Sequence, residues 1–385
     1  MKPTVLEVAA SIIRASSRQR PADAVLRSEL KSQSGLSRAD SAEVTRLVFG
    51  FYRWFGWLDK QQSLTQQLER AFELAERFAK QPTSFSDAEL VSRAVPDWTR
   101  EQVEVTPEWA RALQSEPVLW LRTRPGEGKL VSIKLGNCRA FGEGALGDIL
   151  KYNGREDLFR HPAFQEGAFE LQDISSQAVG LVCAPQSGQT WWDACAGEGG
   201  KLLHLSALMG NKGLVWATDR AAWRLDKLKR RAARARVFNY RTRVWDGGEN
   251  LPTKTRFDGV LVDAPCSGIG TWQRNPHARW TTTPADVSEL AEVQKNLLRH
   301  VAPAVKLGGK LIYAVCSLAR SETTQVAHSF LAEHPYFDPI PVVNPLGPDL
   351  PSSAQLWLWP QQFGGNGMFI AAWSRQTTKS DQPHA

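Results

Sequence analysis

From about residue 171 onward, strand and helix signals alternate along the sequence, and that alternation restricts the segment to a doubly wound α/β sheet. Trp191–Ala194, Gly213–Thr218, Arg241–Trp245, Phe257–Val262, Lys310–Ala314 and Met368–Trp373 read as strands. Lys201–Met209, the strongly basic Ala221–Ala235, Ala285–Val305 and Ser321–Glu333 read as helices. In such a sheet, ligands bind at the carboxyl ends of the strands. The residues that follow each strand therefore carry the functional argument.

A chain of 385 residues is too long for one ordinary core. Residues 1–80 show helical apolar spacing, as in Val5-Leu6, Val8-Ala9 and Ile12-Ile13, and a start signal at Ser37 with Asp40 behind it. Pro82, Pro96 and Pro107 punctuate residues 81–115, which read as a connector with short helices. Residues 116–170 read as a small α+β module with strands at Val118–Arg122 and Lys129–Lys134. The α/β domain spans 171–375, and the polar tail 376–385 is expected to be disordered.

Five cysteines, an odd number with no CxxC pair, argue against a disulfide framework and against zinc. No run approaches the ~20 apolar residues of a membrane span, and the start has no signal-peptide pattern. A cytoplasmic, monomeric protein without a metal or a membrane partner is expected. The net charge of +7 favours a polyanion, most simply nucleic acid. Arg14, Arg18, Arg20, Arg27, Lys31 and Arg38 read equally well as a solvated helix face and as phosphate contacts, and Arg122, Arg124 and Arg274 are further candidate RNA contacts.

The first strand of the α/β segment runs into Asp193-Ala194-Cys195-Ala196-Gly197-Glu198-Gly199-Gly200-Lys201. Glycines 197, 199 and 200 permit close backbone approach, and the following helix offers unpaired N–H groups. Asp219 closes the next strand, where a carboxylate can bond both hydroxyls of a ribose. Asp246, after the third strand, is placed to accept from an adenine amine, although Asp246-Gly247-Gly248 also reads as an ordinary turn. No second nucleotide half is visible, so S-adenosylmethionine fits better than a dinucleotide. The cofactor candidates are Cys195, Ala196, Gly197, Glu198, Gly199, Gly200, Lys201, Asp219, Asp246 and Asp263.

Two Cys-Ser dipeptides follow strands, one in Asp263-Ala264-Pro265-Cys266-Ser267-Gly268 and one in Tyr313-Ala314-Val315-Cys316-Ser317. Beside a nucleotide-type site they point to methylation of a pyrimidine carbon. Carbon 5 of cytosine is a poor nucleophile until a thiolate adds at carbon 6 and converts the ring to an enamine. The reaction also needs an acid near N3 and the amine, for which Asp263 is placed, and a base for the carbon-5 proton. A thiolate needs a nearby cation or N–H donors, and Lys201 is one candidate.

These motifs resemble the RsmB/Nop family of RNA cytosine-C5 methyltransferases, over essentially the whole chain and most strongly over 167–373. Asp193–Lys201 is similar to the family's Asp-x-Cys-Ala-Ala-Pro-Gly-Gly-Lys. Asp263–Gly268 is its Asp-Ala-Pro-Cys-Ser-Gly, with Gly270-Thr271 and Arg274-Asn275-Pro276 similar to the continuation. Cys316-Ser317 with Glu322 resembles its Thr-Cys-Ser motif, and Gly167 with Leu171–Gln177 the segment that opens the catalytic domain. The resemblance implies a Rossmann-like methyltransferase domain that uses S-adenosylmethionine. It implies Cys316 as nucleophile, Cys266 as the residue that assists adduct breakdown, Asp219 and Asp246 as the ribose and adenine residues, and Asp263 as a contact to the cytosine and the cofactor region. Leu47–Arg53 and Leu58-Asp59 resemble the all-α NusB-like RNA-binding domain of the bacterial 16S ribosomal RNA enzyme, so ribosomal RNA is expected ahead of tRNA. Gly197-Glu198 replaces the family's Ala-Pro, Val315 its Thr, and Asn366–Phe369 its Asp-Gly-Phe-Phe. Competing readings are a DNA cytosine methyltransferase with Cys266 as nucleophile and a catalytically weak RNA-binding assembly factor.

Overall fold

A computed structural model describes residues 3–32, 35–347 and 352–376. The expected disordered tail lies, from residue 377 on, outside them. The chain forms two compact units, one of Met1–Pro117, Ser267–Val287 and Trp359–Gly364, the other of Val118–Cys266, Ser288–Leu358 and Gly365–Ala385.

The first unit is helical. It holds α1 (Pro3–Ala15), α2 (Ala22–Ser32), α3 (Arg38–Arg53), α4 (Leu64–Lys80), α5 (Asp87–Arg93) and α6 (Pro107–Gln114), and from later in the chain α12 (Pro276–Thr281) and α15 (Pro360–Phe363). Ser37 caps α3, its Oγ accepting from the Asp40 N–H at 3.1 Å, as its position before Asp40 suggests. Ser63 and Gln66 form a reciprocal capping box on α4. Val5, Ala9 and Ile12 of α1 are fully buried, at helical spacing. Residues 81–115, expected as a connector, are built into this core instead. Phe85 packs against Trp54 with ring centres 5.1 Å apart, and Leu90 and Trp109 are fully buried. The prolines that suggested a linker cap the turns between short packed helices; Pro107 occupies the first turn of α6.

The second unit contains two sheets. The smaller comprises β1 (Leu119–Thr123), β2 (Cys138–Ala140), β3 (Ile149–Tyr152) and β4 (Phe169–Leu171) in the antiparallel order β2-β3-β1-β4, with α7 (Gly128–Leu135) and α8 (Pro162–Gln165). Lys129–Lys134, expected as a strand, lies within helix α7. Helical spacing buries Val131 and Leu135 and leaves Leu130 and Ile133 exposed, and Asp148 accepts from the Gly126 and Gly128 N–H groups at the helix start.

The larger sheet holds β5 (Thr190–Asp193), β6 (Leu214–Asp219), β7 (Tyr240–Val244), β8 (Phe257–Asp263), β9 (Val305–Val315), β10 (Phe337–Pro339), β11 (Gln355–Leu358) and β12 (Met368–Arg375). Its order is β10-β12-β9-β8-β5-β6-β7, with β11 paired to β12. Strands β9, β8, β5, β6 and β7 are parallel, and β12 runs antiparallel to β9. Helices α9 (Ile174–Cys183), α10 (Gly200–Leu208), α11 (Ala222–Ala235), α13 (Pro284–Val301) and α14 (Thr324–Glu333) accompany it. The Rossmann-like reading of the sequence holds, with several element bounds shifted: β9 opens at Val305 instead of Lys310, α14 at Thr324 instead of Ser321, and β12 runs on to Arg375. The helix expected to reach Val305 ends at Val301, because Pro303 forces a 3-10 turn and Val305 opens β9. The chain winds outward from β5 through β6 to β7, and in the opposite sense from β8 to β9. A switch point therefore falls between β5 and β8, where their carboxyl ends part to form a crevice.

Candidate active site

The switch point brings together the turn after β5 and the turn after β8. Gly197 (φ +54°) and Gly199 (φ +86°) take left-handed backbone in the first turn. A side chain at Gly199 would strike Leu228, whereas one at Gly197 or Gly200 would meet nothing within 4 Å, so the turn is open on its outer side. Asp219, at the end of β6, is nearly buried, and its carboxylate accepts from the Gly197 N–H at 3.0 Å and the Ala221 N–H at 2.8 Å. One strand further, the Trp245 N–H donates to the Asp219 carbonyl at 3.2 Å, which sets Asp246 beside it at the sheet end. Asp246 is exposed and accepts from the Gly248 N–H at 2.8 Å, so the turn reading and the adenine reading share one geometry. An open glycine cradle, the first N–H groups of α10 and two carboxylates at successive strand ends match the donor set a nucleoside needs. The residues fit S-adenosylmethionine.

Glu198 replaces an uncharged residue of the similar family motif, but its Oε1 accepts from Lys227 Nζ at 2.7 Å, which neutralises it locally. Cys195 borders the same turn. Burial pushes its thiol far above the ordinary range, with Asp193 adding to the rise, so it remains protonated.

Lys201 is nearly buried, and its Nζ donates to Asp263 Oδ2 at 2.6 Å. Burial alone would lower its pKa; Asp263, with Cys316 and Asp193 contributing, outweighs burial and raises it. Lys201 therefore stays cationic. Asp193 is fully buried below, and its pKa rises to about 7 through burial, then through Asp263 and Asp219, against the opposing pull of Lys201.

Register pairs Asp263 with Ala314, so the turns after β8 and β9 are adjacent. Cys266 Sγ and Cys316 Sγ lie 3.2 Å apart. A buried network holds the two turns. Gln294 Nε2 donates to the Pro265 carbonyl at 2.9 Å and to Glu322 Oε1 at 3.1 Å; Tyr313 donates to Gln294 Oε1 at 2.9 Å and to the Glu322 carbonyl at 2.6 Å; Ser317 donates to Glu322 Oε2. Gln294, Tyr313, Ser317 and Glu322 have no measurable exposure. Motif reading missed Gln294. Its signal was a polar residue within the apolar stripe Val287, Ala291, Leu298, Val301 of α13, at i, i+4, i+7, i+11 and i+14 counting Gln294.

The structure overturns one expected RNA contact. Arg122 is buried on β1, its Nε donating to Gln172 Oε1 at 2.6 Å, and it lines a cavity of about 70 Å³ with His204 and Gln177. Burial lowers its pKa to about 10, with Glu170 opposing. Alternation along β1 turned this long side chain inward, where neighbouring polar groups satisfy it. Arg124 donates to the Glu166 carbonyl at 2.7 Å and is about one-third exposed, and Arg274 is exposed in the helical unit.

Residues 180–374 match the family model described as 16S rRNA methyltransferase RsmB/F. The chain is 32% identical over 321 residues to a "Probable ribosomal RNA small subunit methyltransferase B" of Synechocystis sp., covering 77% of this chain and 71% of that one. A protein of the same description from Bacillus subtilis is 38% identical over 216 residues, 54% of this chain and 48% of the relative. Several other relatives are matched over about three-fifths of their length. Among solved structures, PH0851 superposes with a TM-score of 0.80 at 22% identity, over 97% of this chain and 99% of the other. A methyltransferase homolog from Pyrococcus horikoshii gives 0.59 at 24%, over 70% and 90%. At those identities the solved structures speak for the fold, and the family model and the Synechocystis relative speak for descent. This chain belongs to the RsmB/F family of S-adenosylmethionine-dependent RNA methyltransferases.

Proposed function

We propose that the chain methylates carbon 5 of a cytosine in RNA, small-subunit ribosomal RNA before tRNA, through a covalent adduct between Cys316 and carbon 6. The observation that carries the reading is the pair of thiols 3.2 Å apart at neighbouring parallel strand ends, with Asp263 on the same turn held by Lys201. S-adenosylmethionine, when bound, supplies an electrophilic methyl group. Gly197, Gly200, Asp219 and Asp246 would hold its nucleoside, with Cys195, Ala196, Glu198 and Gly199 shaping the turn.

Asp263 orients the cytosine edge, with Lys201 fixing the carboxylate. The Cys316 sulfur adds as thiolate to carbon 6, and carbon 5 then carries the electron density that attacks the methyl carbon. Loss of the carbon-5 proton to a base breaks the carbon–sulfur bond and returns the Cys316 thiolate, with Cys266 assisting this step. The target base is reached unpaired or flipped.

Incubation of the protein with methyl-labelled S-adenosylmethionine and unmodified small-subunit rRNA, or tRNA, is the test. Label recovered as 5-methylcytosine from rRNA is the expected result. Label only in tRNA would change the substrate. Label at another atom, or none in free rRNA and in the 30S particle, would overturn the reading.

A further inference from the structure

The positive charge of this protein is concentrated in one place. Residues 220–243 contain ten Lys and Arg and the single acid Asp226, a balance of +9. The whole chain has 47 basic and 40 acidic residues, so the other 361 residues, with 37 basic and 39 acidic, balance at −2. Helix α11 and the edge strand β7 thus account for all of the excess.

Helix α11 buries Leu225, Leu228 and Ala232. Trp223, Lys227 and Arg230 follow at i, i+4 and i+7 on the opposite, exposed face. Five of the basic side chains are paired: Arg224 with Asp219, Lys227 with Glu198, Lys229 with Asp226, and Arg231 and Arg234 with Glu170. Arg220, Arg230, Arg236 and Arg241 are exposed and form no ion pair among the described residues.

Charge on an outermost strand also keeps sheet edges from pairing. That role does not account for the aromatic side chains set among the charges. Trp223 is 54% exposed and Phe238 is 75% exposed, at opposite ends of a helix about 21 Å long. Lys227 Nζ stands 4.7 Å from the centre of the Trp223 ring, which braces the indole. Exposed aromatic planes interleaved with unpaired cations are the chemistry of single-stranded nucleic-acid binding.

Helix α11 starts immediately after the carboxyl end of β6. It therefore begins at the end of the sheet that carries the two thiols. Strand β6 is three positions from β9, about 14 Å at ordinary strand spacing.

We infer that the outer face of α11, from Arg220 and Trp223 to Arg236 and Phe238, binds single-stranded RNA flanking the target cytosine, with phosphates on the cationic groups and an unpaired base stacked on Trp223. The inference rests on the reading of the substrate as RNA, but not on the position that is methylated.

The test uses the full chain, with Arg230→Glu/Arg241→Glu and Trp223→Ala variants, and an unmodified 16S rRNA fragment over a range of salt. Charge reversal should weaken binding 10-fold or more and flatten the slope of log K against log salt by at least about 1.4, the share of two single-strand phosphate contacts. Trp223→Ala should weaken it roughly 5- to 100-fold with little change in slope, the worth of one stacked base. S-adenosylmethionine affinity and melting temperature should match wild type in both. Wild-type affinity and slope in the charge-reversed variant would overturn the inference, as would wild-type protein that binds phosphatidylglycerol vesicles and not RNA. RNA binding that shows these losses in a protein that transfers no methyl would leave this surface standing and overturn only the reaction.

Discussion

Gln294 and Glu322 meet at 3.1 Å beneath the two cysteine turns, and through them the Pro265 carbonyl is tied to Ser317. The thiol separation is thus set by buried groups on α13 and around β9, outside the cysteine motifs themselves. Gln294→Ala would deprive the Pro265 carbonyl and a Glu322 oxygen of the Gln294 donor, while the Tyr313 hydroxyl keeps the Glu322 carbonyl. A buried group left unpaired costs about 1–3 kcal/mol. The variant should lose on the order of 3 kcal/mol of stability in denaturant titration. It should also lose at least 10-fold in the single-turnover rate, with RNA affinity unchanged. A rate equal to wild type would remove Gln294 from any part in positioning the thiols.

The two cysteines are geometrically alike, so substitution has to separate their roles. Cys316→Ala should abolish methyl transfer. Cys266→Ala should instead accumulate a protein–RNA species stable on a denaturing gel, because elimination stalls. The reverse pattern, an active Cys316→Ala with an inert, adduct-free Cys266→Ala, would exchange the assignments.

Much of this arrangement was legible in the sequence because it rests on local chemistry. The glycine turn, Asp219 and both Cys-Ser pairs lie just after strands, and a parallel sheet places all such residues at one end. What escaped depends on tertiary contacts. Lys129–Lys134 offers alternate apolar residues to a strand and an i, i+4 pair to a helix, and packing of Val131 and Leu135 decided for the helix. Arg122 reads as a surface cation until Gln172 is seen beside it. The charge on α11 was visible, but its weight against a near-neutral remainder, and the exposure of Trp223 and Phe238, needed the structure.

Arg279 is fully buried and pairs with no carboxylate among the described residues. It donates instead to the carbonyls of Arg53, Ala94, Leu113 and Trp272 at 2.8–3.3 Å. Three of these lie at the C-terminal ends of α3, α5 and α6, where helix dipoles favour a cation. Burial lowers its pKa to about 9, which leaves it charged at neutral pH. Arg279→Lys keeps the charge but cannot reach four carbonyls with one ammonium. A loss of about 3 kcal/mol or more is expected for Lys and for Met alike. A Lys variant that melts with wild type would show that charge alone suffices.

Asp193 makes stability depend on pH in a direction opposite to that of most carboxylates. Its folded pKa of about 7 lies above the ordinary 3.8, because burial and Asp263 disfavour the charged form. Between those values the folded state holds a proton that the unfolded state has released, so stability falls as pH rises. Its favourable contribution is complete below about pH 3.8 and is lost as pH rises through about 7. At about 1.4 kcal/mol per pKa unit, the swing is on the order of 4 kcal/mol. Asp193→Asn cannot titrate, so the stability of wild type relative to this variant should decline from pH 4 to pH 7.5 and then level off. Denaturant titrations of both proteins across that range provide the measurement. Parallel curves for the two proteins would mean that Asp193 is ionised throughout, with Lys201 rather than burial governing the carboxyl.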